Sequence, residues 1–364
     1  TMGLASSSEE ITWEQPSEKH EATLYYFSGR GLADQIRWLL AATDVSFTQK
    51  VVAHRAQFER MAQRQLPFGQ LPLLQIDGLE IVQSQAIVRY VARRAGIKGR
   101  VSYNYANVHI RIHTHTRTPL LHLHIHTNSY THTNEGQSEE EVLKSDMLAE
   151  CMKDMLSPLT SLPFKRPKGW TADGNNSSLG DGLDAYRHGM QGVLDKWVFF
   201  SARLEAVLKN NHRGEEGTAA IGLEVEDCVI TDLAAYNGMP NMLFLVGRHA
   251  SYVDILLAHL VTWMQEEVTA YNNNITAAAA ACCSNTTSST NSTNATSTPS
   301  TTASAPALLL LTLPPRPLLS RLTQQILRLH GLRIFLQSKR WFEIGDEVYA
   351  DQVCVYVFSA ADCS

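Results

Sequence analysis

The chain has 364 residues, 44% of them hydrophobic, enough for two domains with cores of their own. A charged fraction of 18% is low for a globular protein and points to stretches of polar filler. The formal net charge of −5 excludes a general nucleic-acid binder.

The charge is uneven. Residues 23–100 hold nine Arg and two Lys against five acids, a net of +6 that leaves −11 for the remainder. Such a basic segment suits a small anionic ligand. The six cysteines show no framework spacing and no Cys-x-x-Cys, as expected of reduced thiols in the cytosol. Residues 1–22 contain no apolar leader core and are expected to be disordered. The apolar run around 307–313 is too short to span a bilayer, so no membrane association is expected and the location is read as cytoplasmic.

In chain order, 23–27 reads as a strand and 32–43 as a helix with Leu32, Ile36, Leu39 and Leu40 on one face. A strand at 46–52 and a weaker helix at 54–65 follow. Strands at 73–76 and 79–82 flank Asp77-Gly78, a dipeptide suited to a tight hairpin turn. A helix at 84–95 completes a βαβαββα order in under 80 residues, which describes a thioredoxin-like α/β domain over 23–100.

Residues 101–137 break the pattern. Runs such as "HTHT" and "HLHIH" are what an alternating CA dinucleotide tract encodes, so the segment reads as an insertion. Alternating histidines on a strand could bind Zn²⁺ or Ni²⁺. A metal site needs fixed supporting partners, however, and no metal is expected here. The helical pattern resumes at Glu139 and continues near 186–209, with 210–240 unassigned. At 251–267, Ser251-x-x-Asp254 makes a capping-box-like start. These elements describe an all-helical second domain over 138–271. Residues 272–320 read as a second insertion that cannot bury enough apolar area to order itself. A helix at 322–335 and a short tail lie in a C-terminal segment over 321–364.

The stretch "LYYFSGRGLADQIRWLL" at 24–40 admits two readings. As a phosphate loop it fails, because Asp34 stands where a third glycine is needed. No acid ends a second strand about twenty residues on to take a ribose either. As a tyrosine site it does better: a Tyr hydroxyl at a strand end can donate to a thiolate and lower a thiol pKa.

Tyr-Phe-x-x-Arg-Gly, then "FGQLPLLQIDG", then "VQSQAI", resembles in order the N-terminal domain of cytosolic glutathione transferases of the tyrosine type, sigma- or alpha-like. "SDMLAECMKDML", "RLEAVLKNN" and "FLVGRHASYVDILLAHLV" continue the resemblance. It implies a homodimeric enzyme with glutathione as co-substrate, conjugating its thiolate to a small hydrophobic electrophile. A glutathione-dependent isomerase resembling prostaglandin D synthase, or a structural protein on the same fold, are the alternatives.

By the same resemblance Tyr26, ahead of Phe27, is the catalytic residue. Leu71 before a cis-Pro72 offers its backbone to the peptide, and Gln83-Ser84, with Ser84 as helix cap, holds the γ-glutamyl end. Phe58 and Arg64 stand near the glycine carboxylate, Gln70 joins the glutathione-binding set, and Asp154 reaches across the dimer. One departure is Leu32, where tyrosine-type members often carry a basic residue.

Overall fold

A computed structural model describes residues 22–97, 108–112, 123–127, 138–167, 169–170, 182–212, 230–239, 241–287, 310–337 and 355–358. The expectations for 1–21, for most of 101–137 and for 288–309 fall outside the described residues.

The N-terminal elements follow the expected order closely. Strand β1 (Ala22–Tyr26) leads through a 3-10 turn (Gly31–Ala33) into α1 (Asp34–Ala42), then β2 (Phe47–Val51), α2 (Arg55–Arg64), β3 (Leu73–Ile76), β4 (Leu79–Val82) and α3 (Ser84–Arg94). The β3–β4 hairpin turns at Asp77 (φ 52°) and Gly78 (φ 73°), two consecutive left-handed residues of the kind that match strand twist. β1 runs parallel to β2 and antiparallel to β3, as a βαβ unit followed by a hairpin requires. This is the thioredoxin-like arrangement.

The two faces of the sheet are covered differently. Leu24, Leu74 and Ile76 pack toward α1 and α3, joined by Ile36, Leu39, Val88 and Val91. Val52, Leu71 and Leu73 pack toward α2 with Met61 and Phe58. Tyr26, at the end of β1, touches both clusters. Every residue of α1 is buried, polar ones included, because the helical domain lies against it as well.

Between the domains, β5 (Val108–Ile112) and β6 (Leu123–Thr127) pair antiparallel in a separate two-stranded sheet. The second domain comprises α4 (Glu139–Ser161), α5 (Leu183–Asn211), the short α6 (Leu233–Gly238), α7 (Tyr252–Thr287), α8 (Pro317–Ile326) and α9 (His330–Gln337). A full capping box between Ser138 and Glu141 starts α4. Asp254 starts α7 by accepting from the Ser251 N–H and hydroxyl and from the Leu245 N–H.

Four features depart from expectation. The order expected to fail at 272 persists: α7 runs on to Thr287, Asn274 and Ile275 are buried, and Asn272 exchanges two 2.9 Å hydrogen bonds with the Leu311 backbone. The alanines of "TAAAAA" are strong helix formers, and this local propensity outweighs the polar composition. The Leu/Pro segment before 320 is likewise packed, with Leu311, Leu313 and Leu318 against the core and Leu319 buried. The single helix expected over 322–335 is two helices, broken at residues 327–329. Finally, β7 (Val355–Phe358) adds antiparallel to the free edge of β2, giving the order β4-β3-β1-β2-β7.

Candidate functional site

The site grows from the turn after β1. Tyr26 Oη accepts a hydrogen bond from the Leu32 N–H at 3.0 Å. Gly31 (φ +46°) makes room for this contact: a Cβ there would stand 2.8 Å from Tyr26 Cε1, 2.9 Å from Cζ and closer still to Oη. Burial raises the phenol's pKa, partly offset by the Leu32 N–H and by Arg37. The hydroxyl therefore keeps its proton at neutral pH. With its oxygen already accepting from Leu32, the O–H is available to donate elsewhere.

Behind the tyrosine lies a buried charged cluster. Asp34 Oδ2 accepts from Arg30 Nε at 2.8 Å, and Oδ1 faces Arg37 Nη1 at 3.3 Å. Arg37 also donates to the carbonyls of Gly29 (3.0 Å) and Arg30 (3.2 Å) and to Gln49 Oε1 (2.6 Å). Its guanidinium carbon lies 5.9 Å from the Tyr26 ring centre. From α7, His259 Nε2 approaches Asp34 Oδ2 at 3.1 Å, Glu266 pairs with Arg30, and Trp263 lies 4.4 Å beneath the Arg30 guanidinium. Burial alone would raise the Asp34 carboxyl; Arg30, the His259 hydrogen bond and Arg37 together outweigh it and hold the group well below the usual carboxylate range. Leu32 brings no charge of its own, so the basic character near Tyr26 comes from Arg37.

A second wall comes from the β3–β4 hairpin and its approaches. The Leu71-Pro72 peptide is cis, as expected, and both residues are buried at the entry to β3. Gln83 Nε2 donates to Gln70 Oε1 at 3.2 Å, so the structure brings these two predicted residues together. The cap assignment needs correction. Gln83, not Ser84, occupies the cap position of α3, without a side-chain cap bond; Ser84 is the first helical residue. Gln83 has φ 70°, a backbone cost of order 1–3 kcal/mol that is typically sustained at functional sites. The helix N-terminus still offers free N–H groups and a positive dipole end.

The remaining predicted residues are more scattered. Phe58 on α2 packs against Phe27, whose ring centre is 5.5 Å away, and Phe27 stands 5.6 Å from Tyr26. Arg64 ends α2 and is exposed. Asp154 is exposed on α4, one turn beyond Glu150; Glu150 and Asp146 are both engaged by Arg89 of α3.

Arg37, His259, Trp263 and Glu266 were not singled out from the sequence. The trace was there for Arg37, a charge standing with Asp34 on a helix otherwise written for burial. His259 left no such trace, because its partner lies 225 residues away. Among the described residues no group of three or more His, Cys, Asp or Glu is arranged to hold a metal ion, and no helix is long and apolar enough to cross a membrane.

The family model for the glutathione S-transferase N-terminal domain matches residues 22–93. Glutathione S-transferase A4 of Mus musculus is 32% identical over 146 residues, 40% of this chain and 49% of that protein. Glutathione S-transferase 3 of Gallus gallus is 44% identical over 78 residues, 21% of this chain and 34% of that protein. Glutathione S-transferase alpha-4 of Rattus norvegicus is 42% identical over 78 residues, 21% of this chain and 35% of that protein. The chain thus spans between a third and half the length of these relatives.

Proposed function

We propose that this chain, which through residues 22–93 carries the N-terminal domain of the glutathione S-transferase family, conjugates the glutathione thiolate to small apolar electrophiles. The observation that carries the reading is the Tyr26 hydroxyl, which accepts from the Leu32 N–H and keeps its own proton for a sulfur atom. A hydrogen bond donated to the thiolate favours the charged form of the cysteinyl sulfur. Each unit by which the thiol pKa falls is worth about 1.4 kcal/mol, enough to turn a minor thiolate fraction into a major one. The thiol proton goes to solvent. The thiolate then forms the C–S bond as the leaving group departs, and Tyr26 is neither consumed nor ionised.

Glutathione is held as an extended peptide in this reading. Its cysteinyl backbone meets the Leu71 peptide groups beside cis-Pro72. Its γ-glutamyl carboxylate meets Ser84 at the N-terminus of α3, flanked by the Gln70–Gln83 pair. Phe58 and Arg64 face the glycine end. Asp154 completes the site of a partner subunit in a homodimer. The exposure of Leu143 (61%) and Met147 (64%) on the same helix favours a covered face there. We place the protein in the cytoplasm, in keeping with its free thiol at Cys151 and the absence of a membrane-crossing helix among the described residues.

The test is retention on immobilised glutathione together with turnover of a chlorodinitrobenzene-type electrophile. Folded protein that shows neither would overturn the reading.

A further inference from the structure

We infer that His259, on the helical domain, is a positioning residue for Tyr26, acting through Asp34 and Arg37 on the turn that holds the tyrosine hydroxyl. This rests on the assignment of Tyr26 as the sulfur's hydrogen-bond donor.

The connection is continuous. Leu32, which holds Tyr26 Oη, stands two residues beyond Arg30, and the Gly29 and Arg30 carbonyls are both gripped by the Arg37 guanidinium. Arg37 is in turn held by Asp34 Oδ1 and by Gln49. The other oxygen of Asp34 is shared by Arg30 and His259. Asp34 is fully buried and His259 is 2% exposed. Ring centres of Trp38 at 5.3 Å and Trp263 at 5.6 Å flank the imidazole.

A buried carboxylate keeps its orientation only while its donors saturate it, and losing one exposes the full desolvation cost of the group. Without His259, Asp34 would gain by turning toward a new donor, and Arg37 would lose the partner that fixes its fork. The grip on the Gly29 and Arg30 carbonyls then slackens, and the Leu32 N–H moves with them. Two domains are linked in this way: a residue of α7 sets the geometry of a hydroxyl on β1.

The charge state supports the geometry. The groups facing the imidazole are Asp34 and Arg30 from the N-terminal domain and Glu266 from α7. Burial lowers the imidazole's proton affinity, against the pull of Asp34. His259 is therefore neutral near pH 7, and Nε2, facing a carboxylate, carries the hydrogen. A protonated His259 would add a third positive charge beside Arg30 and Arg37.

The experiment compares the full-length protein with His259→Leu, His259→Asn and His259→Gln. Glutamine extends an amide N–H toward Asp34; leucine has none and asparagine is too short. Hydrogen exchange of peptides covering residues 27–33, conjugation rate against pH, and melting temperature are read for each. The Leu and Asn variants should speed exchange of the turn about tenfold, leaving β3–β4 peptides unchanged. Their kcat should fall about tenfold with KM for glutathione within about twofold, and the rising limb of the pH profile should move to higher pH. His259→Gln should restore all of these.

A lowered melting temperature with wild-type turn exchange and pH profile would make His259 merely structural and overturn the proposal, as would a Gln variant that behaves like Leu. Should His259→Leu fail to fold, His259→Asn carries the comparison. The exchange arm needs no glutathione. If the wild-type protein neither binds nor turns over glutathione, the Tyr26 reading fails while the coupling between His259 and the turn is still decided.

Discussion

The hydroxyl of Tyr26 and the peptide N–H of Leu32 stand 3.0 Å apart, and the residue between the turn and Leu32 is a glycine whose missing Cβ leaves the phenol its place. Gly31→Ala should push the ring aside and also strain a backbone at φ +46°. Turnover should fall at least about tenfold while glutathione retention persists. In a Tyr26→Phe background the same change should cost much less in rate. Full additivity in this double-mutant cycle would separate Gly31 from the tyrosine.

Tyr26→Phe should lower turnover and largely spare glutathione affinity, since the hydroxyl acts on sulfur and not on anchoring. The rising limb of the pH–rate profile, which reports the bound thiol, should move to higher pH. An unchanged profile would transfer the role to another group of the turn, such as Ser28.

Acid should loosen the domain interface with a sign set by two groups. The folded pKa of His259 is lowered, so its contribution is present above its unfolded value near 6.5 and is lost as pH falls through the folded one. The Asp34 carboxyl is also lowered, and its contribution is lost further down, below about pH 4. Asp254, pushed up to about 6 chiefly by burial, gives the opposite slope between about pH 4 and 6. Urea unfolding of wild type and His259→Gln at pH 7.5 and 5.5 cancels that common term. The wild type should lose more stability on acidification; equal losses would remove His259 from the account.

Asp154→Ala should weaken glutathione binding in a dimer whose sites are completed by the partner subunit. Sedimentation of the active protein decides it, because a fully active monomer leaves Asp154 no site to complete.

The two compositionally odd segments should behave differently on change. β5 and β6 pair only with each other among the described strands, so joining residue 100 to residue 138 should leave melting temperature and conjugation rate close to wild type. Asn272→Ala removes both bonds to the Leu311 backbone and should cost about 1–3 kcal/mol in denaturant unfolding. A silent Asn272→Ala would return this region to polar filler.

What could be read from the sequence was local. Asp77-Gly78 declares its hairpin because few residues accept two successive left-handed conformations. The position of Tyr26 at a strand end was legible because a strand, a glycine turn and a helix are adjacent in the chain. Ser84 reads as the cap because its side chain is a good cap, whereas the backbone at Gln83 turns one residue earlier. The His259–Asp34 pair and the β7 edge strand depend on chain segments hundreds of residues apart, and neither leaves a period. In α7 two local signals conflicted, and alanine propensity prevailed over the polar composition beyond Tyr271.

Strand β7 closes a sheet whose other strands are made first. Val355 pairs with Lys50, so about 300 residues are translated between the two sides of that ladder. At roughly 5–20 residues per second, the edge of β2 leaves the ribosome some 15–60 s before its cover. Between the synthesis of β2 and that of β7 the nascent chain carries an open strand edge that other chains could join. Lys50, exposed and charged, stands on that edge, where a lysine discourages foreign pairing until β7 arrives.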